Sequence, residues 1–136
     1  MAKADVRNLY TALRFASRPD LHLTLRYYPK VEVRGQFEVE LVQAVGIFWA
    51  NARPRRFLLE LTERAMFGPR RNIPVLKATG ECPTWLESLR LIVPVSVQDA
   101  YQWNPHVTTE DAPMTLEVTS IAVMHKKDAI WSWELD

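Results

Sequence analysis

The sequence predicts an α+β fold in which helices lie on the outside of a mainly antiparallel sheet. Three observations predict it. Several segments alternate apolar and polar residues with the period of a strand, two segments repeat apolar residues at helical spacing, and the segments follow in the order β-β-α-β-β-α-β-β-β. Each half of that order has a strand, a strand with a His-x-Thr tripeptide and one helix, as in two similar lobes.

Strands are predicted in the first half wherever β-branched, aromatic or alternating residues are bounded by turn signals. The clearest is 21–28, "LHLTLRYY", which alternates strictly after the turn "SRPD". The others are 8–16, 56–62 and 73–80. Apolar residues at 3.6-residue spacing in "QFEVELVQAVGIFWANAR" predict an amphipathic helix that packs on the sheet. Its inward positions are Phe37, Leu41, Ala44, Val45 and Phe48.

The second half predicts one helix and three strands. The helix is "PTWLESLRLIV" (83–93), with Pro83 near its start and Thr84 as its cap, and Pro94 ends or kinks it. Its inward positions are Leu86, Leu89 and Val93. The strands are the short "PHVTTE" (105–110), one long alternating strand over 114–127, and the final "AIWSWEL".

Composition is that of a single globular domain spanning residues 1–136. The chain is 48% apolar and 24% charged, with a net charge of +1. Cys82 is the only cysteine, and no His/Asp/Glu cluster has ligand spacing, so we predict no disulfide, no metal and no cofactor. Without an apolar leader or a membrane-length apolar run, the sequence predicts a cytoplasmic protein that does not enter a membrane.

A His-x-Thr tripeptide occurs twice, 84 residues apart. In 21–28 the period of two separates an apolar core face from a polar face. The core face comprises Leu21, Leu23, Leu25 and Tyr27, and the polar face comprises His22, Thr24, Arg26 and Tyr28. In the second copy the same period puts His106 and Thr108 on one face, together with Glu110. Each copy therefore directs its histidine and threonine the same way.

Two such strands side by side near the centre of a sheet would bring the two imidazoles to one phosphate. Histidine titrates near neutral pH, so one ring can accept a proton while the other donates one. Threonine hydroxyls two residues on can hydrogen-bond the non-bridging oxygens. The pattern indicates phosphoester chemistry by general acid–base catalysis, without a metal and without a glycine-rich phosphate loop.

These residues resemble the two-histidine (2H) phosphoesterase superfamily, which includes 2′-5′ RNA ligase-like proteins and cyclic phosphodiesterases. The resemblance covers about residues 8–135 through "HLTLRYYPKV", "FLLELTERAMFGPRRNIPVLKA" and "WNPHVT". It implies a bilobal α+β fold with pseudo-two-fold symmetry and a central cleft. It also implies that His22 and His106 form the acid–base pair, in roles left open, and that Thr24 and Thr108 hold the phosphate. Thr109 departs from the family, where an apolar residue is common.

Four further residues are candidates for substrate binding. Arg26 and Tyr28 share the face of His22 by alternation: either Arg26 binds a second phosphate and Tyr28 stacks on a base, or both cover the edge of the sheet. Trp103 forms either a cleft wall or part of the core. Arg71, with Arg70 beside it, either reaches the nucleotide or lies in an exposed turn. The arginine-rich stretch 53–71 likewise either meets phosphate or is a solvated surface.

The function that follows is a metal-independent phosphodiesterase acting on a nucleotide or RNA, in a protein expected to be monomeric. Three substrates stay open: a terminal 2′,3′-cyclic phosphate, a 2′-5′ linkage, and a cyclic oligonucleotide signal. The alternative is a nucleotide- or RNA-binding module of the same fold with little turnover. Intact histidines argue for the enzyme, because a binding module needs no acid–base pair.

Overall fold

The computed structural model describes residues 5–93 and 103–136, which form eight strands and two helices. The strands are β1 (Val6–Arg14), β2 (His22–Glu32), β3 (Phe57–Phe67), β4 (Ile73–Ala78), β5 (His106–Thr108), β6 (Met114–Val118), β7 (Ser120–His125) and β8 (Asp128–Glu134). The helices are α1 (Gln36–Ala52) and α2 (Trp85–Arg90). The predicted α+β class is confirmed.

The strands form one antiparallel sheet in the order β6-β3-β4-β5-β2-β1-β7-β8. Strands β5 and β2, which carry the two His-x-Thr tripeptides, are the fourth and fifth of the eight and pair directly. They therefore lie side by side near the centre of the sheet, which is the arrangement that the two-histidine hypothesis requires. The sheet continues without a gap through this pair, and the division into two lobes stays a prediction.

The main core lies between the two helices and one face of the sheet. Leu41 and Val45 of α1 and Leu86 and Leu89 of α2 are buried there, as their spacing predicts. Phe37 and Phe48 are partly buried against the same cluster. Burying this stripe stabilises α1, which ends where Arg53 adopts a left-handed conformation and donates its backbone N–H to the Trp49 carbonyl.

The opposite face of the sheet carries a smaller cluster between β1 and β7, the sixth and seventh strands. Tyr10 and Ala12 of β1 pack there with Ala122 and Met124 of β7.

Among the described residues, neither helix has the length and the apolar character that crossing a membrane requires.

Two predicted elements differ from those observed. The expected single strand over 114–127 is two strands, because the chain turns at Thr119. The Thr119 N–H donates to the Arg14 carbonyl at 2.9 Å, and its hydroxyl accepts the Ala16 N–H at 2.9 Å. At Thr119 these hydrogen bonds to the end of β1 replace the strand-to-strand hydrogen bonds that one continuous strand would make.

The second predicted helix is shorter than 83–93. It ends at Arg90, and Val93, predicted to lie inside it, follows the helix in the chain. Thr84 is at the N-cap position but makes no side-chain capping bond, so that prediction is wrong: its own backbone is already helical. Pro94 lies outside the described residues.

Candidate active site

The centre of the sheet brings the two His-x-Thr tripeptides together. Leu23 of β2 is the Cα partner of Val107 of β5, and both side chains are buried in the main core with 1% exposure. Because side chains alternate along a strand, the residues on either side of this pair project from the other face. Those residues are His22, Thr24, His106 and Thr108.

Continuing the antiparallel register by one residue in each direction sets His22 opposite Thr108 and Thr24 opposite His106. The two histidines are then diagonal neighbours, with Cα atoms about 7–8 Å apart. The threonines occupy the other diagonal. A tetrahedral anion above the Leu23–Val107 pair would have an imidazole on two sides and a hydroxyl on the other two.

His106 is held by a hydrogen bond and a ring contact. Its Nδ1 lies 2.7 Å from the carbonyl oxygen of Asn104, so Nδ1 carries the proton and donates it. In a neutral ring this leaves Nε2 unprotonated. The ring of Phe67 packs edge-on against the imidazole, with centroids 4.6 Å apart. Both contacts fix the orientation of the ring.

His22 is half-buried and packs against Tyr10, with ring centroids 5.2 Å apart. Burial of the imidazole lowers the pKa of His22, and the positive charge of Arg14 lowers it further. The neutral form is therefore favoured, as a proton acceptor requires. The hydroxyl of Tyr10 donates to the Lys126 carbonyl, which anchors the ring that supports His22.

A cation adjoins each histidine on the neighbouring strand. Arg14 of β1 is the Cα partner of His22, and Lys77 of β4 is the Cα partner of His106. The sequence did not identify these two residues, because the partner of each strand residue is set by the register of a distant segment. The alternation along β1 and β4 indicates on which face of the sheet Arg14 and Lys77 lie. It does not reveal which residue of a neighbouring strand lies beside each of them.

Arg26 and Tyr28 do not share the face of His22, so their predicted placement is wrong. In the register of β1 with β2, Thr11 pairs with Arg26 but Ala12 pairs with Thr24, which leaves Leu25 as an extra residue. This bulge reverses the alternation beyond it. Arg26 and Tyr28 are buried at 3% and 2% exposure.

Tyr27 lies instead on the face of His22. It is the Cα partner of Tyr10, and the two rings stack with centroids 6.0 Å apart. Its side chain is 41% exposed. The strict alternation of "LHLTLRYY" concealed this residue, because a bulge leaves no mark in the pattern of apolar and polar letters.

Trp103 and Arg71 are both described, and each occupies one of its two predicted environments. Trp103 packs against the main core, with the guanidinium of Arg90 5.3 Å from its ring centroid. Arg71 is exposed in the turn between β3 and β4, where its backbone N–H donates to the Gly68 carbonyl at 3.0 Å. A contact of Arg71 with substrate stays a prediction.

The loops that flank the two tripeptides are joined by one arginine. Arg18, in the loop before His22, forms ion pairs with Asp20 at 2.8 Å and with Asp111 at 2.7 Å. Asp111 belongs to the loop after Thr108, and its carbonyl accepts a hydrogen bond from Arg64 of β3. The guanidinium of Arg18 lowers the pKa of Asp20. In the described part of the chain, no group of three or more His, Cys, Asp or Glu side chains is arranged to hold a metal ion.

The fold is shared with solved structures of LigT and of a phosphoesterase. A crystal structure described as a phosphoesterase superposes with a TM-score of 0.63 at 15% identity, over 96% of this chain and 99% of the other. LigT from Escherichia coli in complex with 3′-AMP gives the same four values. LigT in complex with ATP gives a TM-score of 0.61 at 15% identity, over 96% and 99% of the two chains. No protein-family model and no curated protein matches the sequence.

Proposed function

We propose that the protein is a metal-independent phosphodiesterase that hydrolyses a cyclic phosphate or a 2′-5′ or 3′-5′ linkage in a nucleotide or RNA. His22 and His106 are its general acid and base. The observation that carries this proposal is the pairing of Leu23 with Val107, since it directs both histidines and both threonines to one face about a common centre.

In the proposed reaction the phosphate lies between the two imidazoles. One histidine removes a proton from the attacking water as its oxygen bonds to phosphorus. The other donates a proton to the ester oxygen as the bond between that oxygen and phosphorus breaks. At the end the first histidine carries an additional proton and the second has lost one. Thr24 and Thr108 donate hydrogen bonds to the non-bridging oxygens, which carry the developing charge.

The environment of His22 supports it as the base in the hydrolytic direction. Burial of the ring and then the charge of Arg14 lower the pKa of His22 and favour the neutral form, which can accept a proton. His106 then acts as an imidazolium: it gives the proton on Nε2 to the leaving oxygen, while its Nδ1–H stays bonded to the Asn104 carbonyl. In the reverse reaction the two roles exchange.

Nucleotides are the proposed substrate class for two reasons. LigT, which has the same fold, has been solved with 3′-AMP, ATP and NADP+ bound. In addition, the exposed ring of Tyr27, which stacks on Tyr10 on the face of His22, provides a stacking surface for a base, the role that the sequence assigned to Tyr28.

The test is turnover in the presence of EDTA. Wild type, the His22→Ala/His106→Ala double variant and a His125→Ala control are assayed against 2′,3′-cyclic mononucleotides, 2′-5′ dinucleotides and cyclic dinucleotides. We expect one class to be cleaved by wild type and by the control, with a loss of at least about 10³-fold in the double variant. Nucleotide binding without turnover, unchanged in the double variant, would contradict the proposal and identify a binding module.

A further inference from the structure

The surroundings of the two histidines are related by a local two-fold axis through the Leu23–Val107 pair. The antiparallel register exchanges His22 with His106, and it also exchanges their outer partners, Arg14 and Lys77. Each histidine therefore has one basic residue beside it on the strand away from the centre.

The two cations differ in how their charge is compensated. The ammonium of Lys77 lies 3.9 Å from the carboxylate of Glu63, on the neighbouring strand β3. Arg14 donates one hydrogen bond, at 3.0 Å, to the Pro19 carbonyl, which carries no charge. Within residues 5–93 and 103–136 Arg14 makes no ion pair, so the cation beside His22 has no carboxylate partner, whereas the cation beside His106 has one.

The position of Arg14 separates it from the central phosphate. Neighbouring strands are about 4.8 Å apart, so the Cα of Arg14 lies about 10 Å from the strand that carries His106. Its hydrogen bond to Pro19 directs the guanidinium toward the loop before His22, away from the centre of the sheet. A guanidinium has five N–H donors in a planar fork that matches two phosphate oxygens.

We propose that Arg14 forms a second anion subsite, which binds a phosphate group of the substrate other than the one between the histidines. The preferred substrate then carries an additional phosphate on the β1 side of the site. This inference rests on the proposed function for the location of the first phosphate. It also transfers to Arg14 the role that the sequence assigned to Arg26, which lies on the opposite face.

The test compares two nucleotides that differ by one phosphate, 3′-AMP and adenosine 3′,5′-bisphosphate. Their dissociation constants are measured by titration calorimetry for wild type, Arg14→Gln and Lys77→Gln. We expect wild type and Lys77→Gln to bind the bisphosphate about tenfold more tightly, as a charge-assisted contact would provide, and Arg14→Gln to bind both nucleotides equally. Arg14→Lys keeps the charge without the fork and should retain part of the preference.

A preference that persists in Arg14→Gln, one that is lost equally in Lys77→Gln, or its absence from wild type would overturn the proposal. A purely structural role of Arg14 would weaken the binding of both nucleotides alike and leave their ratio unchanged. Binding does not depend on turnover. If the subsite is demonstrated and the EDTA assay finds no cleavage, the phosphodiesterase proposal fails while the assignment of Arg14 stands.

Discussion

The bulge at Leu25 determines which tyrosine of β2 faces the site. Up to Thr24 the strand directs even-numbered residues to the face of His22, and over Arg26–Tyr28 it directs the odd-numbered residue, Tyr27, there. Tyr27 thereby joins Tyr10 and His22, whereas Tyr28 packs on Phe37 in the main core. Neighbouring residues of identical chemistry thus have different environments, Tyr27 exposed on the face of His22 and Tyr28 buried in the core.

Substituting each of the two tyrosines by alanine distinguishes the buried residue from the exposed one. Tyr28→Ala should lower the free energy of unfolding by about 3–5 kcal/mol, since it removes a buried ring. Tyr27→Ala should cost less than about 1 kcal/mol, because its ring is 41% exposed, but it should raise KM for nucleotide substrates. Urea denaturation and steady-state kinetics measure the two effects. Equal losses of stability would contradict the bulge.

The ionisation of His22 provides a second test at this scale. Burial, and then Arg14, favour its neutral form, so its pKa lies below the usual value of about 6.5. If His22 is the base, the acid limb of the pH profile of kcat/KM lies at this lowered pKa, and the rate falls as the pH drops through it. The groups beside the ring are Tyr10 and Arg14, with Tyr27 stacked on the far side of Tyr10 and His106 across the site.

The measurement is an NMR titration of the imidazole signals, with the His22 signal assigned from a His22→Gln variant. We expect its midpoint below 6.5, and a shift to higher pH in Arg14→Gln. A midpoint at or above 6.5 would rule out the favoured neutral form.

The first turn of α1 is joined to the sheet by one buried carboxylate. Glu38 pairs with Arg7 of β1, and its other oxygen accepts the backbone N–H of Arg34. Its side chain is 8% exposed. An anion near a helix N-terminus is also favoured by the helix dipole, and Gly35 at the N-cap provides no side-chain cap.

Removing this carboxylate should destabilise the protein. Glu38→Ala leaves Arg7 without its partner in a largely buried position, and we expect a loss of about 3 kcal/mol in the free energy of unfolding. Glu40→Ala is the matched control two residues along the same helix: it removes an exposed hydrogen bond to Gln36 and should cost less than about 0.5 kcal/mol. Urea denaturation of both variants is the check, and losses of similar size would refute the role of Glu38.

At the same scale, local periodicity predicted the elements but not their interruptions. The period of two located β2, and the 3.6-residue spacing located α1, because both patterns reflect which face is buried. The break at Thr119 depends on hydrogen bonds to Arg14 and Ala16, more than 100 residues away in sequence. The bulge at Leu25 depends on its pairing with β1. Neither interaction leaves a local pattern that a sequence alone can reveal.

Over the whole molecule, the shortest pairing between neighbouring strands of the sheet is the one at its centre. Strand β5 has three residues, and Leu23–Val107 is its one Cα pair with β2. The two histidines lie on opposite sides of this junction, so a ligand bound between them connects four strands on one side with four on the other.

Hydrogen exchange measures that connection. We expect 3′-AMP to slow amide exchange in β2 and β5 more than in β3 and β8, since local opening at the junction separates the groups that bind the ligand. Mass spectrometry of proteolytic fragments with and without nucleotide resolves these strands. Uniform protection across the sheet would indicate that the ligand does not span the junction.

The order of the strands also determines which part of the sheet the C-terminal strands β7 and β8 support. Strands β3 to β6 form a continuous segment on one side of the centre, and β7 and β8 return to the side of β1 and β2. Tyr10 and Ala12 pair there with Met124 and Ala122. A gene truncated after codon 118 would encode both tripeptides, yet its product would leave β1 as a bare edge and remove the partners of the residues that support His22. Two intact motifs in a fragment are therefore no guarantee of an intact site.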